Sequence, residues 1–351
     1  MYKNKSSLKT VLFGLAILAT MLFLKVVYAQ EKKELSLKLL SQEPIEKPQK
    51  HGLVRTVFSK NGKFKGTIVR REVIKYTSIY KFSLLDSTGS VIWEKDTFSP
   101  YPFIANDGSV VTWTLLGDAG SKSIFSFYDP AGNLIKRTEP LLVVCTEINP
   151  EILPEGNYLL LNVDKPDVQE GLHIFDLKGN LIKNYGPCDN YAVSPGLKNL
   201  IISSGSELRF YRDGNLIGKR KVESHYARGM VISPDGDYFA FLTRNRLSLF
   251  EIGKVKKLWQ KDLKADLRFT SVDLSWGAKR IVVGAAVVLA THKLANKSYT
   301  YTQIYNENGE RIAEQKIEIT EWFTWVPKVN ISEDGKLLNV EANEIYKFEL
   351  E

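Results

Sequence analysis

The stretch Val231-Ile-Ser-Pro-Asp-Gly-Asp-Tyr-Phe-Ala-Phe241 decides the fold of this chain. An apolar pair leads into a Ser-Pro-Asp-Gly turn, and an apolar run follows the turn directly. Proline fixes φ in a turn and glycine accepts positive φ, so the segment predicts two strands joined by a tight reversal. Variants of this phrase recur every 40 to 58 residues, with their turn glycines at Gly62, Gly108, Gly156, Gly196, Gly236, Gly277 and Gly335.

A second phrase alternates with the first, as in Tyr128-Asp-Pro-Ala-Gly-Asn-Leu-Ile135. Asp or Asn close to Gly, between apolar runs, is typical of a hairpin turn. The gap between the two phrases falls to 17 residues from Gly236 to Gly253. That length holds two short strands but no strand–helix–strand unit. The glycines of the second phrase are Gly89, Gly132, Gly179, Gly214, Gly253 and Gly309.

Each repeat therefore predicts four antiparallel strands, the unit from which β-propeller blades are made. We expect an all-β, seven-bladed propeller, with six or eight blades and a long solenoid as the alternatives. The seventh copy supplies only three strands, so we expect the alternating segment 34–40 to supply the fourth strand and close the ring. The predicted blades span approximately 50–98, 99–142, 143–188, 189–224, 225–265, 266–324 and 325–351.

Residues 1–29 are typical of a secretory signal peptide. Lysines precede an apolar run of 14 residues, Val11 to Leu24, which is shorter than the roughly 20 residues that span a bilayer. This segment holds four lysines and no acidic residue, so the formal charge falls from +8 for the chain to +4 for residues 30–351. Such a small charge predicts no nucleic-acid binding. We expect a single exported domain, 30–351, monomeric and periplasmic or extracellular, with no further membrane span; an uncleaved N-terminal anchor is the alternative.

Two segments resemble known propeller families. The Val231–Phe241 phrase resembles the repeat of TolB-like and WD-like propellers. The segment Leu85-Asp-Ser-Thr-Gly-Ser-Val-Ile-Trp93 resembles a blade of the quinoprotein (PQQ-like) type, in which a Trp after the turn docks onto the next blade. The resemblance covers about residues 35–351. It implies a propeller, often in the cell envelope, and fixes no activity.

Candidate site residues follow from the topology and not from a motif. The sequence contains no His-Glu-x-x-His, Gly-x-Ser-x-Gly or phosphate-binding loop, so we expect no catalytic residue, metal or cofactor. Loops of variable length share one face of the predicted propeller, and Tyr101 is among the residues that enter the first strands there. Aromatic and Arg side chains commonly anchor partners. The predicted binding residues are His225, Tyr226, Arg228, Arg268, Trp322 and Trp325.

The sequence thus favours a non-catalytic scaffold that binds an envelope protein, a peptide or a glycan. The alternatives are an exported hydrolase, lyase or sulfotransferase with its site in the central channel, and a sensor ectodomain on an uncleaved anchor. Cys145 and Cys188 are 43 residues apart, close to one repeat, and are the candidates for a disulfide in an oxidising compartment. Two buried thiols are the alternative.

Overall fold

The fold is all-β, as predicted. The structure, a computed structural model, describes residues 37–44, 54–74, 77–116, 122–140, 148–153, 158–163, 171–223, 227–263, 267–287, 298–319, 327–342 and 344–350. Within these ranges the regular elements are strands and two single 3₁₀ turns. No helix in the same ranges has the length and apolar character needed to cross a membrane.

Across the described ranges, twenty-eight strands form seven four-stranded antiparallel sheets, which confirms the repeated four-stranded unit. Sheets one to six each take four consecutive strands, beginning with β2, and sheet seven takes β26, β27, β28 and β1. In chain order the strands are β1 (Leu37–Pro44), β2 (Val54–Phe58), β3 (Phe64–Ile74), β4 (Thr77–Asp86), β5 (Val91–Thr97), β6 (Tyr101–Ile104), β7 (Val110–Leu116), β8 (Lys122–Tyr128), β9 (Leu134–Arg137), β10 (Ile148–Ile152), β11 (Tyr158–Val163), β12 (Gly171–Asp176), β13 (Leu181–Asn184), β14 (Asn190–Val193), β15 (Asn199–Ser204), β16 (Glu207–Arg212), β17 (Asn215–Lys221), β18 (Gly229–Ile232), β19 (Tyr238–Leu242), β20 (Arg246–Glu251), β21 (Lys256–Asp262), β22 (Leu267–Leu274), β23 (Ile281–Val287), β24 (Ser298–Tyr305), β25 (Arg311–Ile319), β26 (Lys328–Ile331), β27 (Leu337–Glu341) and β28 (Glu344–Leu350).

Sheet seven joins the two ends of the described chain. Its order is β1-β28-β27-β26, and Leu37 in β1 stands opposite Leu350 in β28. Leu37 also packs against the buried apolar cluster that contains Val340 and Phe348. The sequence placed this strand at 34–40; the described strand runs from Leu37 to Pro44, and residues 34–36 lie outside the described residues. The N-terminal segment therefore supplies the fourth strand of the seventh sheet.

The serine of the first phrase holds the turn between the first two strands of a sheet. The Oγ atom of Ser233 accepts the backbone N–H of Tyr238 at 3.0 Å, and Ser59 and Ser332 bond their fifth following residues in the same way. In the repeats of Gly196 and Gly277 the turn contains a 3₁₀ turn, at Pro195–Leu197 and Trp276–Ala278. Ser194 and Ser275 still accept the N–H of their fifth following residues, so the turn keeps its length and the glycine lies one place earlier within it.

Successive sheets pack face to face through apolar clusters. In the described ranges, six clusters of buried side chains link sheet one to sheet two and so on up to sheet seven. The cluster between sheets one and two, for example, contains Phe82, Leu84 and Ile104, all at most 5 % exposed. The first strands also meet, since β2 contacts β6, β6 contacts β10, β14 contacts β18, and β18 contacts β22.

A second contact links successive sheets through their fourth strands, which we call the outer strands. Trp93 in β5 lies over Gly132 in the turn between β8 and β9, where an added Cβ would come within 2.7 Å of the indole. Trp259 in β21 lies over Gly309 in the same way and donates its Nε1–H to the carbonyl oxygen of Glu307 at 2.7 Å. The outer strand of one sheet therefore covers the turn of the next sheet, as the resemblance to PQQ-like blades implies for Trp93.

Candidate functional site

Four of the six predicted binding residues, His225, Tyr226, Trp322 and Trp325, lie outside the described residues, so their role stays a prediction. Arg228 directly precedes β18, and Arg268 is the second residue of β22; both are exposed. These strands are the first strands of sheets five and six and pack on each other. Within the described ranges neither guanidinium forms an ion pair, and the part of these two residues in binding stays a prediction.

The proposed disulfide also stays a prediction, because Cys145 lies outside the described residues. Cys188 is 3 % exposed and belongs to the cluster that joins sheets three and four. Its Sγ atom lies 3.4 Å from the carbonyl oxygen of Asn190. Cys188 lies just before the first strand of sheet four, β14.

One candidate site is a cavity of about 560 Å³ beside the first strands of sheets one, two and three. This volume lies within the range of small-ligand and peptide pockets. We name it the first-strand cavity. It is lined by Arg55, Thr56, Val57, Phe58, Lys60, Tyr101, Pro102, Phe103, Ile104, Asn106, Ile152 and Leu153.

A stack of three side chains forms one wall of the first-strand cavity. The guanidinium carbon of Arg55 lies 5.1 Å from the centroid of the Tyr101 ring, and Tyr101 lies 5.2 Å from the Trp113 ring. Trp113 is buried and donates its indole N–H to the Oγ atom of Ser123 at 3.1 Å. A cation over an aromatic face is stabilised by the ring quadrupole. The buried tryptophan therefore fixes the tyrosine, and the tyrosine orients the arginine.

Phe58 and Lys60 stand near the turn that follows β2. Phe58 is 63 % exposed, an unusual state for a phenylalanine at a strand end. The neighbouring turn is tied to sheet two, because Asn61 donates its backbone N–H to Oδ1 of Asn106 at 3.0 Å and its Nδ2 to the Asn106 carbonyl at 2.9 Å. The turns that follow β2 and β6 are thus held together, while the Phe58 ring stays accessible.

The lining of the first-strand cavity is cationic and largely apolar. Its described residues include no Asp, Glu, His, Cys or Ser. Arg55 and Lys60 supply two positive charges above walls that are mainly apolar or aromatic. No set of three His, Cys, Asp or Glu side chains that could hold a metal occurs in the described ranges. The cavity suits a ligand that combines an apolar group with an anionic one.

Burial raises the pKa of side chains that lie away from this cavity. Burial raises the pKa of Tyr305 to about 12, and its hydroxyl donates to Oε1 of Gln303 at 2.8 Å. Burial also raises the pKa of Asp273, whose carboxylate accepts backbone N–H groups from Leu274 at 2.9 Å and Ile331 at 2.8 Å. Asp273 therefore bridges sheets six and seven, and its role is structural.

Sequence reasoning missed the first-strand cavity, although it singled out Tyr101. A signal was present at Phe58, because the other copies of the first phrase place an aliphatic residue there. Two of these counterparts, Ile104 and Leu153, are at most 5 % exposed. An aromatic residue at an otherwise aliphatic position could have marked the site. Arg55 carries no such signal, since a charged residue in a first strand is not distinctive on its own.

A scan of the chain against models of protein families gives no match, and a search among curated proteins gives none either.

Proposed function

We propose that this chain is a seven-bladed β-propeller that acts as a non-catalytic binding scaffold in the cell envelope. In this arrangement the seven sheets are the blades, and β1 closes the ring by completing the seventh. The pairing of Leu37 with Leu350, the six clusters between successive sheets and the contacts among first strands support it. In a propeller the first strands surround the central axis.

The first-strand cavity carries the functional part of the proposal. It combines an accessible aromatic ring, Phe58, with a cation that Tyr101 orients, Arg55. Aromatic and Arg side chains in a partly desolvated pocket are the residue types that dominate binding energy at protein interfaces. The ligand we propose is a segment of an envelope protein or peptide that inserts an apolar side chain and a carboxylate. A glycan lacks the apolar group and fits the cavity less well.

Location in the envelope rests on the signal-like segment 1–29. Intact-mass analysis of the protein from its native cell tests it. A mass equal to that of residues 30–351 supports export with cleavage. A mass that includes residues 1–29 favours the sensor or anchored alternative.

The binding role is tested by cross-linking in the native envelope followed by mass spectrometry. The variant Arg55→Glu/Phe58→Ala alters the first-strand cavity, and Arg137→Glu/Phe98→Ala makes the same chemical changes at exposed positions outside it. We expect a dominant partner that is captured by the wild type and the control but lost with the cavity variant. Equal capture by all three proteins, or no enriched partner with the wild type, contradicts the scaffold role at this site. Either result favours the alternative of an enzyme with its site in the central channel.

A further inference from the structure

A second cavity, of about 660 Å³, lies between sheets four and five on the side of their outer strands. We name it the outer groove. Its described lining includes five basic side chains and one carboxylate, that of Glu223. The basic residues are Arg220, Lys221, Arg246, Lys256 and Lys257.

Only one of these five cations is neutralised by neighbouring carboxylates. Arg246 pairs with Glu223 and, through Nε, with Oδ1 of Asp262 at 2.8 Å. Arg220 donates its Nε–H to the carbonyl oxygen of Val255 at 2.7 Å, which fixes the side chain and leaves its charge uncompensated. Lys221 and Lys256 are exposed and form no ion pair within the described ranges. The outer groove therefore carries net positive charge in a concave site, where an anionic ligand is favoured.

The strand that borders the outer groove has an open edge. β17 is the last strand of sheet four, and within the described ranges its pairing partner is β16 alone. Six of its seven residues are exposed. An edge strand offers unpaired backbone N–H and C=O groups to an incoming extended chain. Sugars and simple anions cannot use these groups in a regular ladder.

β17 has the highest net positive charge of the outer strands. It ends in Lys219-Arg-Lys221 and contains no acidic residue. The outer strands β1, β5, β21 and β25 contain carboxylates, and β9 and β13, which also lack them, hold two basic residues and one. Lys219 is itself paired with Glu207 at 3.0 Å, so Arg220 and Lys221 are the cations of this segment that form no ion pair among the described residues. An acidic strand beside β17 is thus matched in charge as well as in backbone pattern.

We propose that the outer groove binds an extended acidic peptide segment, which adds to sheet four as a fifth strand along β17. Its carboxylates lie beside Arg220, Lys221 and Lys256, and its backbone pairs with the free edge. This site is separate from the first-strand cavity and does not depend on what binds there.

The test measures binding of a fluorescent octapeptide of alternating Glu and Thr to residues 30–351 by anisotropy. A Gln-Thr peptide of the same length controls for charge. A Glu-Thr peptide with N-methyl groups on alternate residues keeps the charge and blocks strand pairing. Polygalacturonate and inorganic phosphate serve as anionic competitors without a peptide backbone.

We expect the Glu-Thr peptide to bind and both altered peptides to bind at least about 10-fold more weakly. Lys221→Glu/Lys256→Glu should weaken binding by a similar factor, and Lys63→Glu/Lys198→Glu, exposed lysines outside the groove, should leave it unchanged. No binding by the Glu-Thr peptide overturns the proposal. Equal binding of the N-methylated peptide, or complete competition by polygalacturonate or phosphate at matched charge concentration, overturns strand addition in favour of a general anion site.

Discussion

Gly218 in β17 faces Val255 in the turn between β20 and β21, where a Cβ on Gly218 would lie 2.9 Å from a Val255 methyl. Trp93 and Trp259 occupy the place of Gly218 in their own sheets. In each sheet the residue in question pairs with the third-strand residue that directly precedes a β-bulge. Each tryptophan faces a glycine. At the contact between sheets four and five the sizes are reversed: the fourth strand supplies the glycine, and the turn of the next sheet supplies the larger side chain, Val255.

This reversal of sizes predicts a rescue between the two positions. Gly218→Trp should destabilise the protein by about 1–3 kcal/mol, because the indole overlaps Val255. Adding Val255→Gly removes the overlap and also relieves a valine held at φ 49°. Urea unfolding of the two single variants and the double variant measures the coupling. A double variant that is no more stable than Gly218→Trp alone would show that the two residues do not share this space.

The strand that joins the chain ends should contribute measurably to stability. Leu37→Asp places a charge against the cluster of Val340 and Phe348, and we expect a cost of about 1–3 kcal/mol. Leu39→Asp is the matched control, because Leu39 is 49 % exposed and should tolerate the change within about 0.5 kcal/mol. Thermal unfolding followed by circular dichroism compares the two. Equal midpoints for both variants would argue that β1 does not pack on sheet seven in solution.

Asp273 should make stability depend on pH. Burial raises the pKa of Asp273 above its usual 3.8, so the folded protein holds this proton more tightly than the unfolded chain. As the pH rises from about 4 through the folded pKa, the buried charge forms and its contribution to stability declines. Asp273→Asn stays neutral, although its amide cannot accept both backbone N–H groups.

The measurement is the thermal unfolding midpoint of Asp273→Asn minus that of the wild type, taken from pH 4 to pH 7. We expect this difference to shift in favour of the Asn variant as the pH rises, whatever its value at pH 4. The same substitution at the exposed Asp237 serves as the surface control. A flat or opposite trend for Asp273→Asn would contradict a raised pKa.

Phe58 should matter for binding and not for folding. Phe58→Ala removes a ring that is 63 % exposed, so we expect its unfolding free energy to change by no more than about 0.5 kcal/mol. Ile104→Ala, at a buried position of the next repeat, should cost about 2–5 kcal/mol. Urea unfolding compares them. A loss of unfolding free energy in Phe58→Ala as large as that in Ile104→Ala would mean that the Phe58 ring is part of the core.

The turn chemistry made most of the fold predictable. The Ser-Pro-Asp-Gly phrase of Ser233 and the Asp-Gly turn of Gly214 lie where local backbone preferences decide the structure, and there the sequence is explicit. Trp259, which docks on a glycine of the next sheet, shows the limit. Val255 and not Gly253 has the positive φ of its turn, so Trp259 follows the turn residue by the same number of positions as Trp93 follows Gly89. The sequence does not reveal this equivalence, because a valine stands where the other repeats have glycine.

The candidate site was less predictable, because it depends on packing between repeats. Arg55 and Tyr101 are 46 residues apart in sequence, and only the packing of β2 against β6 brings the cation over the ring. The outer groove likewise needs β17 and β21 of two different sheets. A single sequence shows which residue types are present but not which repeats bring them together.

The ring itself is the central claim, and distances between repeats test it most directly. Nitroxide labels at Lys63, Lys198 and Lys336, replaced by cysteine in a background with Cys145→Ala and Cys188→Ala, mark equivalent exposed turns of sheets one, four and seven. Pulsed electron spin resonance then measures the 63–336 and 63–198 distances. A closed seven-bladed propeller predicts that the 63–336 distance is clearly the shorter one, because sheets one and seven are neighbours. A 63–336 distance longer than 63–198 would show an open array of sheets and contradict the account.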